Sequence, residues 1–282
     1  MQTEQAWTEV ISARSNLFDL KLRQVWQYRD LIRVFVRRDF VSVYKQTVLG
    51  PLWHFLSPIF GAFINVLLFN SIAGLSTEGA PPILFQLLSF SLWGYFTHCF
   101  SGASSTFQAN AAIFSKVYFP RLTVPIAHAI SALFQLGIRL VILAVLWVHF
   151  FRQGAVEFFF GALVWFPLLL LLISVMGLSL GIIASSLTVK YKDMQNFISY
   201  GINFLMYISA VVYPLSALPE EYRFFAAYNP LVPLMEGARY AILGIGSFAV
   251  EDLLWSVAFT LVVFFPAVLI FNYTERTFID KV

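Results

Sequence analysis

Six long apolar stretches, near residues 52–73, 83–106, 124–150, 158–186, 196–212 and 252–272, limit what this chain can fold into. Crossing a hydrocarbon core of about 30 Å takes roughly 20 helical residues, so each stretch reads as a membrane span. The third and fourth exceed that length and are expected to tilt or to project beyond the bilayer. The fifth is barely long enough. Continuous apolar runs exclude an outer-membrane barrel, whose strands alternate apolar and polar residues. Composition agrees: 59% of residues are hydrophobic and 12% charged, outside the range of soluble proteins. The expected fold is all-α: a cytoplasmic segment over 1–50, then a six-helix transmembrane domain over 51–282.

Basic residues set the expected orientation, because cytoplasmic flanks collect Lys and Arg. With both termini inside, fourteen of the eighteen Lys and Arg fall on the inner side. Only Arg152, Arg223 and Arg239 are left for the outer loops, against Glu78, Glu157, Glu220, Glu221, Glu236, Glu251 and Asp252. That predicts a multi-pass protein of an inner or plasma membrane. The first two dozen residues lack an apolar core, so no cleavable signal peptide is expected. The single cysteine, Cys99, leaves no internal disulfide and reads as a small core residue.

Three connecting segments carry pattern. Over 25–45, Tyr28, Leu31, Ile32, Phe35 and Val36 share one helical face while Arg29, Asp30, Arg33 and Arg37 share the other. This predicts an amphipathic helix in the membrane interface; a plain positive-inside flank is the alternative. It leads to Gly50 and Pro51, placed to end that helix and to open the first span. Between the second and third spans, STFQANAAIFSKVYFPRLTVP predicts a short helix parallel to the membrane, with Asn110 and Ser115 as caps and Pro120 and Pro125 closing it. A connecting turn is the alternative, but the segment exceeds the usual 2–8 residues or so. After the fifth span, residues 213–252 predict two short helices. Pro219 starts one, Asn229-Pro230 breaks it, Pro233 starts another, and Gly244 with Gly246 ends that. They read as a hairpin re-entering the membrane from outside or as a folded surface loop.

Catalytic signatures are missing. There is no GxxxxGK[ST], no HExxH and no pair of intramembrane carboxylates, and His54, His98, His128 and His149 are scattered. No cofactor or metal is expected in this chain, and no nucleic acid as a partner. Arg139 is the one charge inside a span and faces either an anionic group or a polar neighbour. Phe96, Phe100, Tyr200, Phe204 and Tyr207 recur at spacings of four or seven. Most aromatics in spans pack or face lipid, yet such rings could also line a path for a glycan.

YKQTVLGPLW (44–53), NAAIFSKVYFPR (110–121), KYKD (190–193) and VYPLSALPEEYRFFAAYNPLVPLMEGAR (212–239) together resemble the membrane subunit of type 2 ABC exporters for polysaccharides and polyol phosphates. The resemblance runs over essentially the whole chain after the first twenty-odd residues. It implies a homodimer in a bacterial inner membrane, with two copies of a separate subunit that binds ATP and Mg and hydrolyses the ATP. It further implies that Asn110, Ser115, Lys116, Tyr118, Phe119, Pro120 and Arg121 couple to that subunit. A lipid pyrophosphate would arrive near Arg33, Arg37, Arg38 and Lys45 among membrane lipids. The external gate would be built over 219–246, from Pro219, Tyr222, Phe225, Asn229, Pro230, Glu236 and Arg239. Among substrates, lipid-linked O antigen fits closest, with teichoic acid or capsule polysaccharide as alternatives. A secondary transporter and a polytopic enzyme acting on lipid-linked sugars are rivals; the enzyme would need a membrane-proximal acid, and Asp193 is the one in its inner loop.

Overall fold

A computed structural model describes residues 22–279 except 46, 158, 192, 247 and 248, and its regular structure there is entirely helical. Arg14, Lys21, Lys192 and Lys281, which entered the charge count, lie outside the described residues. In chain order the helices are α1 (Leu22–Gln27), α2 (Arg29–Tyr44), α3 (Trp53–Asn65), α4 (Pro82–Ser104), α5 (Thr106–Ala109), α6 (Ala111–Phe114), α7 (Thr123–Arg152), α8 (Ala162–Lys190), α9 (Met194–Ile208), α10 (Glu220–Ala227), α11 (Leu231–Leu243) and α12 (Val250–Ile279). α3 runs on as a π-helix, Val66–Ile72.

Among the described residues five helices are long and apolar enough to cross a membrane: Trp53–Ile72, Pro82–Ser104, Thr123–Arg152, Ala162–Thr188 and Val250–Glu275. The fifth expected span, 196–212, is the 15-residue α9, and its last four positions are irregular backbone. At 1.5 Å per residue α9 covers about 22 Å, short of a full crossing. The fourth span starts four residues later than its hydropathy suggests. Phe159 is apolar but packs edgewise on Tyr240 of α11, ring centroids 5.5 Å apart, ahead of the helix.

α4 is the hub. It packs most extensively on α8 and α7, while α12 and α11 cover α8 from other sides. Leu84, Phe85, Leu88, Leu92, Phe96 and Cys99 are fully buried there. Ser91 Oγ of α4 donates to Leu87 O (2.5 Å), and Gln86 Nε2 donates across to Asn70 Oδ1 (2.9 Å). By contrast α3 and α9 turn mostly exposed apolar faces outward, Phe60, Phe63, Phe197 and Phe204 among them.

The elbow before the first span differs from expectation. α2 stops at Tyr44, and Lys45 leaves in an extended conformation. Gly50, at φ +50°, instead opens a single 3₁₀ turn, Gly50–Leu52, that leads into α3. The positive φ that glycine permits is used to redirect the chain, not to close α2. Asn110 and Ser115 do occupy the N-cap and C-cap positions of α6, but the Asn110 side chain makes no capping bond to that helix. Asn110 Nδ2 donates back to Thr106 O (3.0 Å) and Ser115 Oγ to Ala112 O (3.3 Å), so each closes the turn before it.

The two short helices after α9 appear with the expected break and stop. Asn229 Oδ1 accepts from Leu231 N (3.0 Å), and Gly244 ends α11 at φ +71°. The pair is asymmetric. α11 is buried against α8, α4 and α12, whereas α10 exposes Tyr222, Phe224 and Phe225.

Candidate functional site

Of the seven residues expected to meet an ATPase, the structure divides the set by burial. Ser115, Lys116 and Tyr118 are exposed, with Val117 between them, whereas Asn110, Phe119, Pro120 and Arg121 are buried. Phe119 stacks obliquely on Phe35 of α2 (5.9 Å) and on Phe114 (5.5 Å). Phe114 in turn meets Phe107 (6.2 Å), which meets Phe271 of α12 (5.5 Å). Arg121 lies 5.3 Å over the Phe114 ring and donates from Nη1 to Glu275 O (2.6 Å), and burial pulls its pKa down. A second tie runs from Gln108 Nε2 to Thr188 O, with Thr188 Oγ1 donating to Ser104 O (3.1 Å). The exposed tip is therefore mounted on a row of rings reaching from α2 to α12. Arg121 is part of that mounting and not of the outward surface.

The four basic residues assigned to a lipid phosphate also separate. Arg33 pairs with Asp30 (2.7 Å) and Arg38 with Asp39 (2.8 Å), while Arg37 and Lys45 have no acidic partner among the described residues. Arg33 and Arg37 rim an apolar groove between α2 and α7, about 390 Å³, floored by Ile32, Val36, Phe40, Ile130 and Phe134. What docks α2 on α7 was missed in the sequence: His128 Nδ1 lies 3.0 Å from Asp39 Oδ2, and Ser131 Oγ is 3.5 Å from it. Gly102 of α4 makes room, since a Cβ there would meet His128 Cβ at 2.6 Å.

Burial raises the Asp39 pKa, but hydrogen bonds from His128 and Arg38 outweigh it and hold the carboxyl below its ordinary 3.8. A depressed folded value means the pairing stabilises fully above about pH 4 and is lost as pH falls through the lower folded value. Asp39→Asn is expected to loosen α2 by about 1 kcal/mol at neutral pH. Protease accessibility of α2 would report it, with the wild type approaching the mutant only in acid.

Inside the bundle, two expectations are corrected. Phe96 and Phe100 do not line a path: they are buried at 0% and 8% exposure, packed beside α8. Tyr200, Phe204 and Tyr207 do face outward on α9, at 77%, 66% and 50% exposure, with Phe197 on the same stripe. Arg139 borders a cavity between α3, α4 and α7. Glu236 and Arg239 are not surface gate residues, nor do they mark the outer side as exposed charges. They form a buried ion pair (2.8 Å) on α11. Arg239 also donates to Ser89 Oγ (3.1 Å), to Val211 O (3.0 Å), to Tyr213 O (3.4 Å) and to Ala210 O, and lies over the Phe85 ring (4.3 Å). Asn229 Nδ2 donates to Ile208 O (3.1 Å), and Ser256 Oγ to Pro230 O (2.7 Å). The irregular backbone after α9 thus finds its partners inside the protein, as a lipid surround demands. Pro219, Tyr222 and Phe225 belong to the exposed α10 side.

Among the described residues no group of three or more His, Cys, Asp or Glu could hold a metal. An apolar helical bundle with an exposed loop tip on a braced mount defines a polytopic helical membrane protein. The chain belongs to the ABC-2 type transporter membrane family, whose pattern matches residues 30–243. It is similar to an O-antigen export system permease protein of Klebsiella pneumoniae, 25% identical over 253 residues, covering 89% of this chain and 94% of that one. A protein of the same description from Myxococcus xanthus is 25% identical over 263 residues, covering 93% and 98%. The polysialic acid transport protein KpsM of Escherichia coli is 23% identical over 235 residues, covering 83% and 89%.

Proposed function

We propose that this chain is the channel-forming subunit of an ATP-driven exporter that carries a lipid-linked polysaccharide, O antigen foremost, out across the bacterial inner membrane. The observation that carries the reading is the loop tip 115–118. Four exposed residues stand on a mount that joins α2, α5, α6 and α12, so a push on the tip moves several helices together. The chain has no nucleotide-binding motif of its own, and such a tip suits contact with a separate ATPase that binds ATP and Mg. With α9 and the irregular backbone of 209–212 together completing a sixth passage, both termini and the tip lie in the cytoplasm. The exposed faces of α3 and α9 suit a homodimer with two ATPase copies, and the aromatic stripe of α9 suits a glycan passing between protomers. Arg33, Arg37, Arg38 and Lys45 stand where a lipid pyrophosphate would be admitted, and the exposed α10 is the movable part of an outer gate. Relatives named for O-antigen export and for polysialic acid transport favour a polysaccharide over other cargo. Capsule polysaccharide and teichoic acid remain the alternatives in cargo.

Lys116→Glu tests the coupling. The side chain is exposed, so the protein should insert and melt normally, while surface polysaccharide falls several-fold and ATPase copurification weakens. Unchanged export and copurification would remove the tip from the contact. Arg121→Glu is expected to behave differently, losing folded protein outright, because its side chain holds the mount.

A further inference from the structure

Arg139 stands about 24 Å along α7 from Thr123 and about 20 Å from Arg152, at 1.5 Å per residue. Near the middle of this 30-residue helix its guanidinium lies far from both helix ends. It donates one long bond, Nη1 to Phe90 O at 3.5 Å, and among the described residues it has no carboxylate partner. A charge this deep is tolerated only toward a polar partner or a cavity, and a cavity of about 300 Å³ adjoins it. The site is shaped for the guanidinium. A Cβ on Gly94 of α4 would fall 2.3 Å from Arg139 Nη1, so glycine leaves the space the side chain occupies. Ser57, Gly61 and Asn65, four apart on one face of α3, form the opposite wall, with open space at Gly61. Among the described residues no acidic one lines the cavity. Its polar groups include the Arg139 guanidinium and Ser91 on α7 and α4, and the Asn65 amide and Ser57 hydroxyl on α3.

We infer that this cavity is a mid-membrane way-station for a phosphate oxyanion, held between Arg139 and the Asn65–Ser57 wall. A planar carboxylate presents its oxygens in one direction and satisfies one wall. A tetrahedral phosphate presents oxygens to both, and guanidinium pairs with it in a fork. Resting on the exporter reading, the phosphate is the one joining glycan to lipid, which has to cross the bilayer along with the sugar. Soluble phosphate is the other source of the same chemistry.

The full-length permease in maltoside micelles, which carry no phosphate, is titrated with geranylgeranyl pyrophosphate, inorganic pyrophosphate and geranylgeraniol. Wild type is expected to bind the first, with Arg139→Gln weakening it about tenfold or more. Inorganic pyrophosphate binding equally well, and equally dependent on Arg139, assigns the site to soluble phosphate. Geranylgeraniol binding as tightly, or an unchanged Arg139→Gln affinity, overturns the inference. Where Arg139→Gln does not fold, Gly94→Ala decides: it keeps the charge but displaces the guanidinium, so affinity should fall, and an unaltered value overturns the site. Polysaccharide export in cells separates the two readings. Normal export without pyrophosphate binding sinks the way-station alone, whereas binding by a chain that supports no export removes the exporter and leaves the anion site.

Discussion

Replacing Arg239 with Met should cost this protein about 3–5 kcal/mol, because removing one partner of a buried pair strands the other charge. Glu236 is 3% exposed, and among the described residues only its Oε1 is partnered, by Arg239 Nη1 and by Leu215 N (2.9 Å). Its second oxygen, Oε2, is buried with no partner among the described residues, so the carboxylate has little left to fall back on. Arg239→Met would also orphan the carbonyls of Ala210, Val211 and Tyr213, which no neighbouring helix turn serves. The double replacement Glu236→Leu with Arg239→Met should recover only part of the loss. It removes both charges, which alone can be neutral, but leaves the carbonyls unpaired. Thermal melting followed by size-exclusion chromatography in detergent would rank the three proteins. If the double variant matched wild type, the ion pair and not the backbone would be the whole effect; if Arg239→Met melted with wild type, the staple would not hold the segment.

That pair also marks where the sequence could be read and where it could not. Glu236 and Arg239 are three apart on one helix, a spacing that brings them together by itself. Reading them as an outer gate put them at the surface, since nothing local says that 210–213 is irregular backbone in need of a donor. The long spans were legible because apolar length is a local property, and so was the stop at Gly244, which needs only a left-handed residue. α2 was legible from its period, and its Phe35 does turn inward. Asp39 was not, because its partners His128 and Ser131 arrive from α7, some ninety positions on. Arg121 reads as a free surface charge until α12 is placed beside it. Phe96 and Phe100 show the same limit from the other side: a spacing of four gives a shared face, and only the packing of α8 decides that the face is closed. α9 failed on length, since hydropathy continues through Ile208 to Val212 while the helix does not.

Gly181→Ala should also have a large effect, through close backbone packing between α8 and α4. A Cβ at position 181 would lie 2.4 Å from Phe100 O and 2.8 Å from Ala103 Cβ, both on α4, where neither atom can swing away. At Gly177, one turn earlier, the corresponding contacts are 3.0 Å to Phe96 O and 3.2 Å to Cys99 Cβ. Small residues four apart let helix backbones approach in lipid, where packing drives association in place of water exclusion. Gly181→Ala therefore has to push α8 off α4, at about 1–3 kcal/mol, and Gly177→Ala less. The strain should travel. Thr188, two turns further along α8, bonds Ser104 O and accepts from Gln108, so a displaced α8 pulls on the mount of the loop tip. Gly181→Ala is accordingly expected to lower both the melting point and polysaccharide export, and Gly177→Ala to lower the first with export largely kept. Equal melting points for the two would mean that α4 yields at Phe100 as easily as at Phe96, and the α4–α8 seam would not be the rigid axis on which the tip is carried.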